Sequence, residues 1–128
     1  MEFVEKENIL KTKSFAFAVR IVRVYQFLSM QKSEFVISKQ LLRSGTSVGA
    51  MVKEAEHAES RLDFKHKMSI AQKEINESIY WLELLKETEY LSKEQFESLN
   101  IDAIELIKIV TSIIKTIKAK LVNGSRNP

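Results

Sequence analysis

The segment from Ser33 to His57 carries apolar residues at helical spacing on both sides of a run of small residues. The run from Ser44 to Ser47 has the composition of a turn, and each glycine inside a helix costs about 1 kcal/mol relative to alanine. The apolar positions nevertheless continue without a change of phase: Ile37, Leu41, Val48, Val52 and Ala55. We therefore predict one continuous helix, in which Ser44, Gly45 and Ala50 mark places where a neighbouring backbone comes close.

The composition indicates one all-α domain. A chain of 128 residues, 45% hydrophobic and 29% charged, has the size of a domain with a single core. Three glycines and one proline leave few residues for the tight turns of a β protein, and the lack of cysteine excludes a disulfide framework and a thiolate metal site. The sequence shows no signal-peptide core and no apolar run of membrane length, so we expect a cytoplasmic protein without a membrane partner. We assign residues 1–124 to the domain and residues 125–128 to a loose tail.

The first helix is predicted from about Lys11 to Ser29, and its apolar stripe is wider than one partner helix covers. The stripe comprises Phe15, Ala18, Val19, Val22 and Gln26, widened by Phe17, Ile21, Val24 and Leu28. Such a helix lies either between its bundle and a neighbouring subunit or at the centre of its own bundle.

Capping signals bound the other helices. Ser33 is the predicted N-cap of the second helix. Capping boxes open the third and fourth helices, Ser60 with Asp63 and Ser92 with Gln95, and Asn123-Gly124 is the predicted C-cap of the fourth. The two core series are Phe64, Met68, Ala71, Ile75, Ile79, Leu82 and Leu85, then Leu99, Ala103, Leu106, Val110, Ile113, Ile117 and Leu121. Short connections between long helices favour an up-down-up-down antiparallel four-helix bundle.

This topology gathers the charges at two ends. The end that we call the basic pole collects Lys11, Lys13, Lys53, Arg61, Lys65, Lys67, Lys115, Lys118 and Lys120. The acidic pole collects Glu34, Glu87, Glu89, Glu94, Glu97 and Asp102, so the net charge of +3 conceals a dipolar molecule. The basic pole is a candidate nucleic-acid-binding surface, because lysine and arginine neutralise phosphates. The structural alternative is that lysines near helix C-termini complement the helix dipole.

Three further patterns contain residues that could take part in metal binding, phosphate chemistry or base stacking. Glu54-x-x-His57 and Asp63-x-x-His66 have the acid-to-histidine spacing of di-iron bundles, but they flank a connection at the bundle's end, so we predict no metal and no cofactor. Arg61 and His66 fit the arginine and histidine pattern of the all-helical HEPN ribonucleases, in which such a pair stabilises a phosphorane and moves a proton. Tyr80-Trp81 offers a surface for base stacking, although aromatic residues at helical spacing are more often core or interface.

The chain resembles the 23S rRNA-intervening-sequence proteins, a relative of which is the accessory protein of diversity-generating retroelements. The matching residues are Leu41 to Gly49, Glu54, Ser60, Asp63-Phe64, Ala71, Glu77, Leu82 and Tyr90-Leu91. The resemblance implies a small four-helix bundle and ring-shaped pentamers, and the retroelement relative implies contact with RNA and a reverse transcriptase. The commonest family form often carries a second arginine and a proline near Arg43, where this chain has Ser44 and Gly49.

Arg43, Glu54 and Glu77 match the family pattern, and we predict a structural role for them as long-range pairs that fix helix register. The predicted function is a non-enzymatic assembly or scaffold protein, a ring-forming homo-oligomer that binds RNA or a nucleic-acid-handling protein such as a reverse transcriptase through the basic pole. The alternative is a HEPN-like ribonuclease that uses Arg61 and His66.

Overall fold

The computed structural model describes residues 3–126, with side chains described for residues 3–123. Four helices are joined by short connections: α1 (Phe3–Gln31), α2 (Ile37–Ala55), α3 (Arg61–Glu87) and α4 (Lys93–Arg126). Each helix packs against the next and α4 packs against α1, so the helices stand at the corners of a square. The described residues include no strand, and the prediction of an all-α four-helix bundle is confirmed.

Contacts between neighbouring helices show that they run antiparallel. Ser44 of α2 meets Ser78 of α3, and Glu54 further along α2 meets Lys67 further back on α3. The same reversal relates α1 to α4, where Lys6 bonds Ser112 and Lys13 pairs with Glu105. The direction of the chain therefore alternates from helix to helix, as the short connections predict.

One apolar core runs the length of the bundle. Its fully buried side chains include Leu10, Phe17, Ile21, Leu28, Leu41, Val48, Ile75, Leu82, Leu85, Leu106, Val110 and Ile113. Each such side chain contributes about 1.5–3 kcal/mol through burial, so the core rather than helix propensity holds the four helices together. In α1, the edge of the apolar stripe that contains Phe17 and Ile21 faces the core, whereas Phe15 on the other edge is 71% exposed.

The small residues of α2 lie inside one uninterrupted helix, as predicted from the apolar spacing. Gly45 is buried against α1, where a β-carbon would lie 2.7 Å from Cγ1 of Ile21. Gly49 faces the backbone of Ser14, whose carbonyl oxygen would be 3.4 Å from a β-carbon. The prediction for Ala50 is wrong, because its side chain is exposed. The close approach between α1 and α2 therefore depends on Gly45 and, less tightly, on Gly49.

The first helix and the connection after it differ from the sequence prediction. α1 begins two turns earlier than Lys11, because Phe3 and Leu10 extend its core-facing series. Ser33 is not the N-cap of α2 but a left-handed residue with φ 52°, and the N–H of Glu34 closes α1 by donating to the carbonyl of Leu28. This arrangement is a C-terminal capping motif of the kind that usually contains glycine.

Glu34 opens α2 in place of Ser33. Its carboxylate accepts hydrogen bonds from the backbone N–H groups of Val36, Ile37 and Ser38 at 3.1, 3.0 and 2.7 Å. These donors belong to the first turn of a helix and have no partner within it, so a buried acceptor that satisfies them stabilises the helix start. Burial raises the pKa of Glu34, but the three backbone hydrogen bonds outweigh it and hold the pKa below its ordinary value.

The caps of α3 and α4 were predicted more accurately. Ser60 accepts from the N–H of Asp63 at 3.0 Å, and Ser92 and Gln95 exchange two reciprocal hydrogen bonds at 2.8 and 3.1 Å. The predicted C-cap at Asn123-Gly124 is wrong, because α4 continues to Arg126. The predicted tail is therefore helical at residues 125–126, and residues 127–128 lie outside the described part of the chain.

Candidate functional site

The predicted basic pole lies where the start of α1, the α2–α3 connection and the end of α4 meet. Lys120 of α4 places its ammonium 4.4 Å from the ring centroid of Phe3 in α1, and Phe3 packs against Phe64 in α3 with ring centroids 6.0 Å apart. Lys53, Arg61, Lys115 and Lys118 are exposed. Within the described part of the chain these four and Lys65 form no ion pair, so their charges are free to meet an external anion.

Two of the lysines at the basic pole are already paired with carboxylates. Lys11 contacts Glu56 at 3.0 Å and Lys67 contacts Glu54 at 3.5 Å. The hydrogen bond from Lys11 lowers the pKa of Glu56. The paired lysines contribute less net positive charge than the sequence suggests.

Lys13 lies away from the basic pole, which corrects its predicted position. Because α1 begins at Phe3, Lys13 stands almost three turns inside the helix, 2.6 Å from Glu105 in the middle part of α4. The hydrogen bond with Glu105 raises the pKa of Lys13. Its charge therefore joins α1 to α4 rather than adding to the basic end.

A cleft at the basic pole contains carboxylates as well as lysines. It has a volume of about 360 Å³ and is lined by Glu7, Lys11, Glu56, Phe64 and Met68, among others. Burial raises the pKa of Glu7, and Lys120 opposes that rise while Glu56 adds to it. The acidic groups in this cleft make it a poor phosphate site, so the free lysines around it are the better candidates.

The opposite pole is less acidic than predicted. Glu34 is buried and committed to the helix start described above. Asp102 pairs with Arg20 at 2.7 Å, and Arg20 also donates to the hydroxyl of Ser98 at 2.8 Å. Glu87 lies 3.6 Å from Lys86. The dipolar character of the molecule therefore rests mainly on the free lysines of the basic pole.

The residues of the ribonuclease alternative do not share a pocket. Arg61 and His66 are both exposed and lie five positions apart in α3, about 140° apart around the helix axis. The cleft beside His66 is lined by Ser60, Leu62, Asp63, Lys65 and Ser69, and not by Arg61. No described contact brings the two side chains together to act on one phosphate.

The acid and histidine pairs lie at the surface of the α2–α3 connection. Glu54 is bound to Lys67, and Asp63 accepts a hydrogen bond from the N–H of Glu59 at 3.2 Å. Among the described residues no group of at least three metal-ligating side chains converges. These carboxylates therefore form stabilising contacts at the end of α2 and the start of α3.

The family-matching residues Arg43, Glu54 and Glu77 are all exposed. Glu54 forms the predicted kind of interhelix pair, whereas Glu77 accepts from Nε1 of Trp81 in its own helix at 3.0 Å. Tyr80 meets Trp81 edge to face, with centroids 4.9 Å apart. The interhelix polar contact inside the core is instead Ser44 with Ser78 at 2.9 Å, which sequence reasoning missed.

An exposed apolar surface on α1 is the other feature that the sequence did not place. Phe15, Val19 and Val22 are 71%, 38% and 37% exposed, and we call them the α1 patch. Beside them runs a groove of about 670 Å³ between α1 and α2, whose lining includes Ala18, Thr46 and Ala50. The unusual width of the apolar stripe on α1 indicated that part of it would lie outside the core, but the sequence did not show which edge faces outward.

The fold and these surfaces define a small four-helix-bundle protein with an exposed apolar patch and a basic end. None of the described helices is apolar enough over a sufficient length to span a membrane. Over residues 6–112 the sequence matches the family model of the 23S rRNA-intervening sequence protein, and the chain belongs to that family.

A solved structure supports the same assignment. The chain is similar to a protein of unknown function from the S23 ribosomal protein family of Bacteroides thetaiotaomicron, with 58% sequence identity and a TM-score of 0.85. The match covers 86% of this chain and 98% of that one. No curated protein matches the sequence.

Proposed function

We propose that the protein is a non-enzymatic assembly protein that associates with copies of itself through the α1 patch. The observation that supports this proposal is a continuous apolar strip on the outside of the bundle, formed by Phe15, Val19 and Val22 at intervals of four and three residues. The core of the bundle is complete without these side chains. Contiguous exposed apolar surface marks an interaction site more often than a scattered leucine does. Burial of this strip removes apolar area from water at about 25 cal/mol per Å².

The proposed assembly is a closed ring, and the resemblance to the 23S rRNA-intervening sequence proteins supports a pentamer. A ring repeats the basic pole of each copy around one rim. Several weak contacts with phosphates then act together, so that the avidity of the rim exceeds the affinity of one copy.

RNA is the proposed ligand of that rim. Lys53, Lys65, Lys115 and Lys118 carry unpaired positive charge at one end of the molecule, and phosphate contacts of this kind tolerate any sequence. Catalysis is not part of the proposal, because the candidate pair Arg61 and His66 does not converge on one cleft.

Light scattering across a range of protein concentrations tests the assembly. The wild type is expected to be an oligomer at micromolar concentration, and Phe15→Glu is expected to dissociate it, because a carboxylate cannot enter an apolar contact without a large desolvation cost. Leu62→Glu is a matched control, since Leu62 is 65% exposed but lies in the first turn of α3. A monomeric wild type refutes self-assembly.

A salt titration of RNA binding tests the ligand. The double variant Lys115→Glu, Lys118→Glu should bind much more weakly and with a shallower salt dependence than the wild type, because fewer counterions are released. Lys32→Glu with Lys93→Glu makes the same change of net charge at the other pole and should have little effect. Equal losses from both doubles, or a wild type that does not bind at low salt, would refute RNA binding and favour a protein partner.

A further inference from the structure

The cleft at the basic pole has a composition that phosphate binding does not explain. It lies between the first turns of α1, the end of α2 and the start of α3, and its volume is about 360 Å³. Its floor is apolar and buried, and consists of Leu10, Val52 and Met68. The ring of Phe64 and the carboxylates of Glu7 and Glu56 complete most of the lining. An apolar floor with an aromatic side fits the uncharged part of a ligand whose charged part lies on the basic residues outside.

The carboxylate of Glu7 is half-buried in this cleft and has no partner. None of the described residues forms an ion pair or a hydrogen bond with it, whereas Glu56 pairs with Lys11 at 3.0 Å. Burial raises the pKa of Glu7, and the nearby charge of Lys120 does not cancel the rise. A half-buried acceptor of this kind is satisfied by a ligand that donates hydrogen bonds.

Glu7 and Lys11 together present a specific pattern of hydrogen-bonding groups. They lie four residues apart in α1, so they are neighbours on one face of the helix, and both line the cleft. Two carboxylate acceptors therefore stand beside an ammonium donor. The Watson–Crick edge of guanine presents the complement, because its N1–H and 2-amino donors lie beside the O6 acceptor. The other RNA bases each have one donor group on that edge.

We infer that this cleft binds one unstacked guanine base of single-stranded RNA, while the flanking phosphates lie on the free basic residues around it. Phe64 supplies the aromatic surface, since proteins that bind single strands stack splayed bases on aromatic rings. Lys53 directly follows Val52 of the cleft floor, and Arg61 lies one turn before Phe64. The inference rests on the RNA binding proposed above and adds one base-specific contact to phosphate contacts that tolerate any sequence.

Fluorescence anisotropy with labelled oligouridines of one length tests the site. The strands differ in a single central nucleotide, which is guanosine, adenosine or inosine. The wild type should bind the guanosine strand about five- to tenfold more tightly than the adenosine strand, because both purines stack but only guanine donates to both carboxylate oxygens. The inosine strand, which lacks the 2-amino group, should bind with intermediate affinity. Pairing the guanosine strand into a duplex should abolish the preference, because its Watson–Crick edge is then occupied.

Glu7→Gln separates the base contact from the phosphate contacts. The variant removes a negative charge from the basic pole, so its affinity for the adenosine strand should be unchanged or higher. Its preference for guanosine over adenosine should nevertheless fall below about twofold, because an amide offers one acceptor instead of two. Glu5→Gln is the matched control. Glu5 is exposed, lies two residues earlier in α1 and does not line the cleft, so this variant should keep the full preference.

Four results would overturn the inference. If the wild type binds no strand at low salt, the proposed RNA binding fails and the inference fails with it. If the wild type binds the guanosine and adenosine strands equally, RNA binding stands but the cleft is not a base site. Equal affinity for guanosine and inosine would exclude the contact between the carboxylate and the 2-amino group, and this comparison needs no variant. If Glu7→Gln is folded by circular dichroism and keeps the preference, another part of the surface recognises guanine.

Discussion

Gly45 provides the sharpest test of how α1 and α2 pack. A β-carbon at this position would lie 2.7 Å from Cγ1 and 2.8 Å from Cγ2 of Ile21, whereas carbon atoms pack comfortably at about 3.5–4.0 Å. Ile21 is fully buried, so it has little room to retreat. Gly45→Ala should gain about 1 kcal/mol of helix propensity and lose about 1–3 kcal/mol to overpacking, which leaves a net loss of about 0–2 kcal/mol.

Gly49→Ala is the matched control, because it adds the same methyl group one turn later in the same helix. Its nearest neighbour would be the carbonyl oxygen of Ser14 at 3.4 Å, an ordinary contact. Gly49→Ala should therefore keep most of the propensity gain and raise stability by about 0.5–1 kcal/mol. The two variants should differ by about 0.5–3 kcal/mol in the free energy of unfolding, measured by urea titration at one fixed protein concentration.

A second substitution at Ile21 shows whether the clash is the cause. Ile21→Ala removes both γ carbons and should cost about 2–5 kcal/mol alone, but Gly45→Ala should become stabilising in that background. Ile21→Val keeps both γ carbons and should not reverse the sign. The reasoning is refuted if Gly45→Ala stabilises the wild type as much as Gly49→Ala does, or if its effect is the same in all three backgrounds.

Three further predictions follow from the helix ends and the core. The folded pKa of Glu34 lies below its unfolded value of about 4.3, so the stability that its carboxylate contributes is complete above pH 4.3 and is lost as the pH falls through the folded pKa. Glu34→Gln should therefore cost about 1–2 kcal/mol at pH 7. The difference between the urea midpoints of the wild type and this variant should disappear in acid. Ser33→Gly and Glu89→Gly should each stabilise by about 0.5–1 kcal/mol in thermal unfolding, because these residues have φ of 52° and 66°, and matched alanine variants should show no gain. Ser78→Ala should cost more than Ser44→Ala, about 1–2 kcal/mol, because the hydroxyl of Ser78 makes the shorter hydrogen bond to its own helix, 2.8 Å to the carbonyl of Glu74 against 3.3 Å from Ser44 to the carbonyl of Leu41; equal losses in urea would contradict this order.

The fold could be predicted from the sequence because its determinants are local or periodic. The core positions of α3 and α4 recur at helical spacing, and most of them are buried. The capping boxes at Ser60 and Ser92 close within three residues, so no distant contact is needed to recognise them. The continuity of α2 followed from the unbroken apolar phase, even though glycine at position 45 disfavours a helix.

The errors arose where the observed end of a helix or a distant partner decides the outcome. Ser33 has the side chain of an N-cap, but α1 extends to Gln31 and its last turn places Ser33 in a left-handed conformation. Glu34 then becomes the acceptor for the start of α2, and nothing in its neighbours distinguishes it from a surface glutamate. The same holds for Lys13, because its membership of the basic pole depended on where α1 begins and on Glu105, far away in the sequence.

The candidate site was harder to predict, because its surfaces consist of the side chains that are not buried in the core or paired within the bundle. The apolar stripe on α1 contains more residues than the core of one bundle buries. The sequence does not show which of them stay exposed, and the structure shows that Phe17 and Ile21 are the buried ones. The surplus is then informative, because an apolar residue that adds nothing to the core still lowers solubility unless another molecule covers it. The strip from Phe15 to Val22 is therefore better evidence of assembly than the composition of the whole chain. The free positive charge of the basic pole is assessed in the same way. Lys11, Lys13 and Lys67 do not count toward it, because they pair with carboxylates of the bundle.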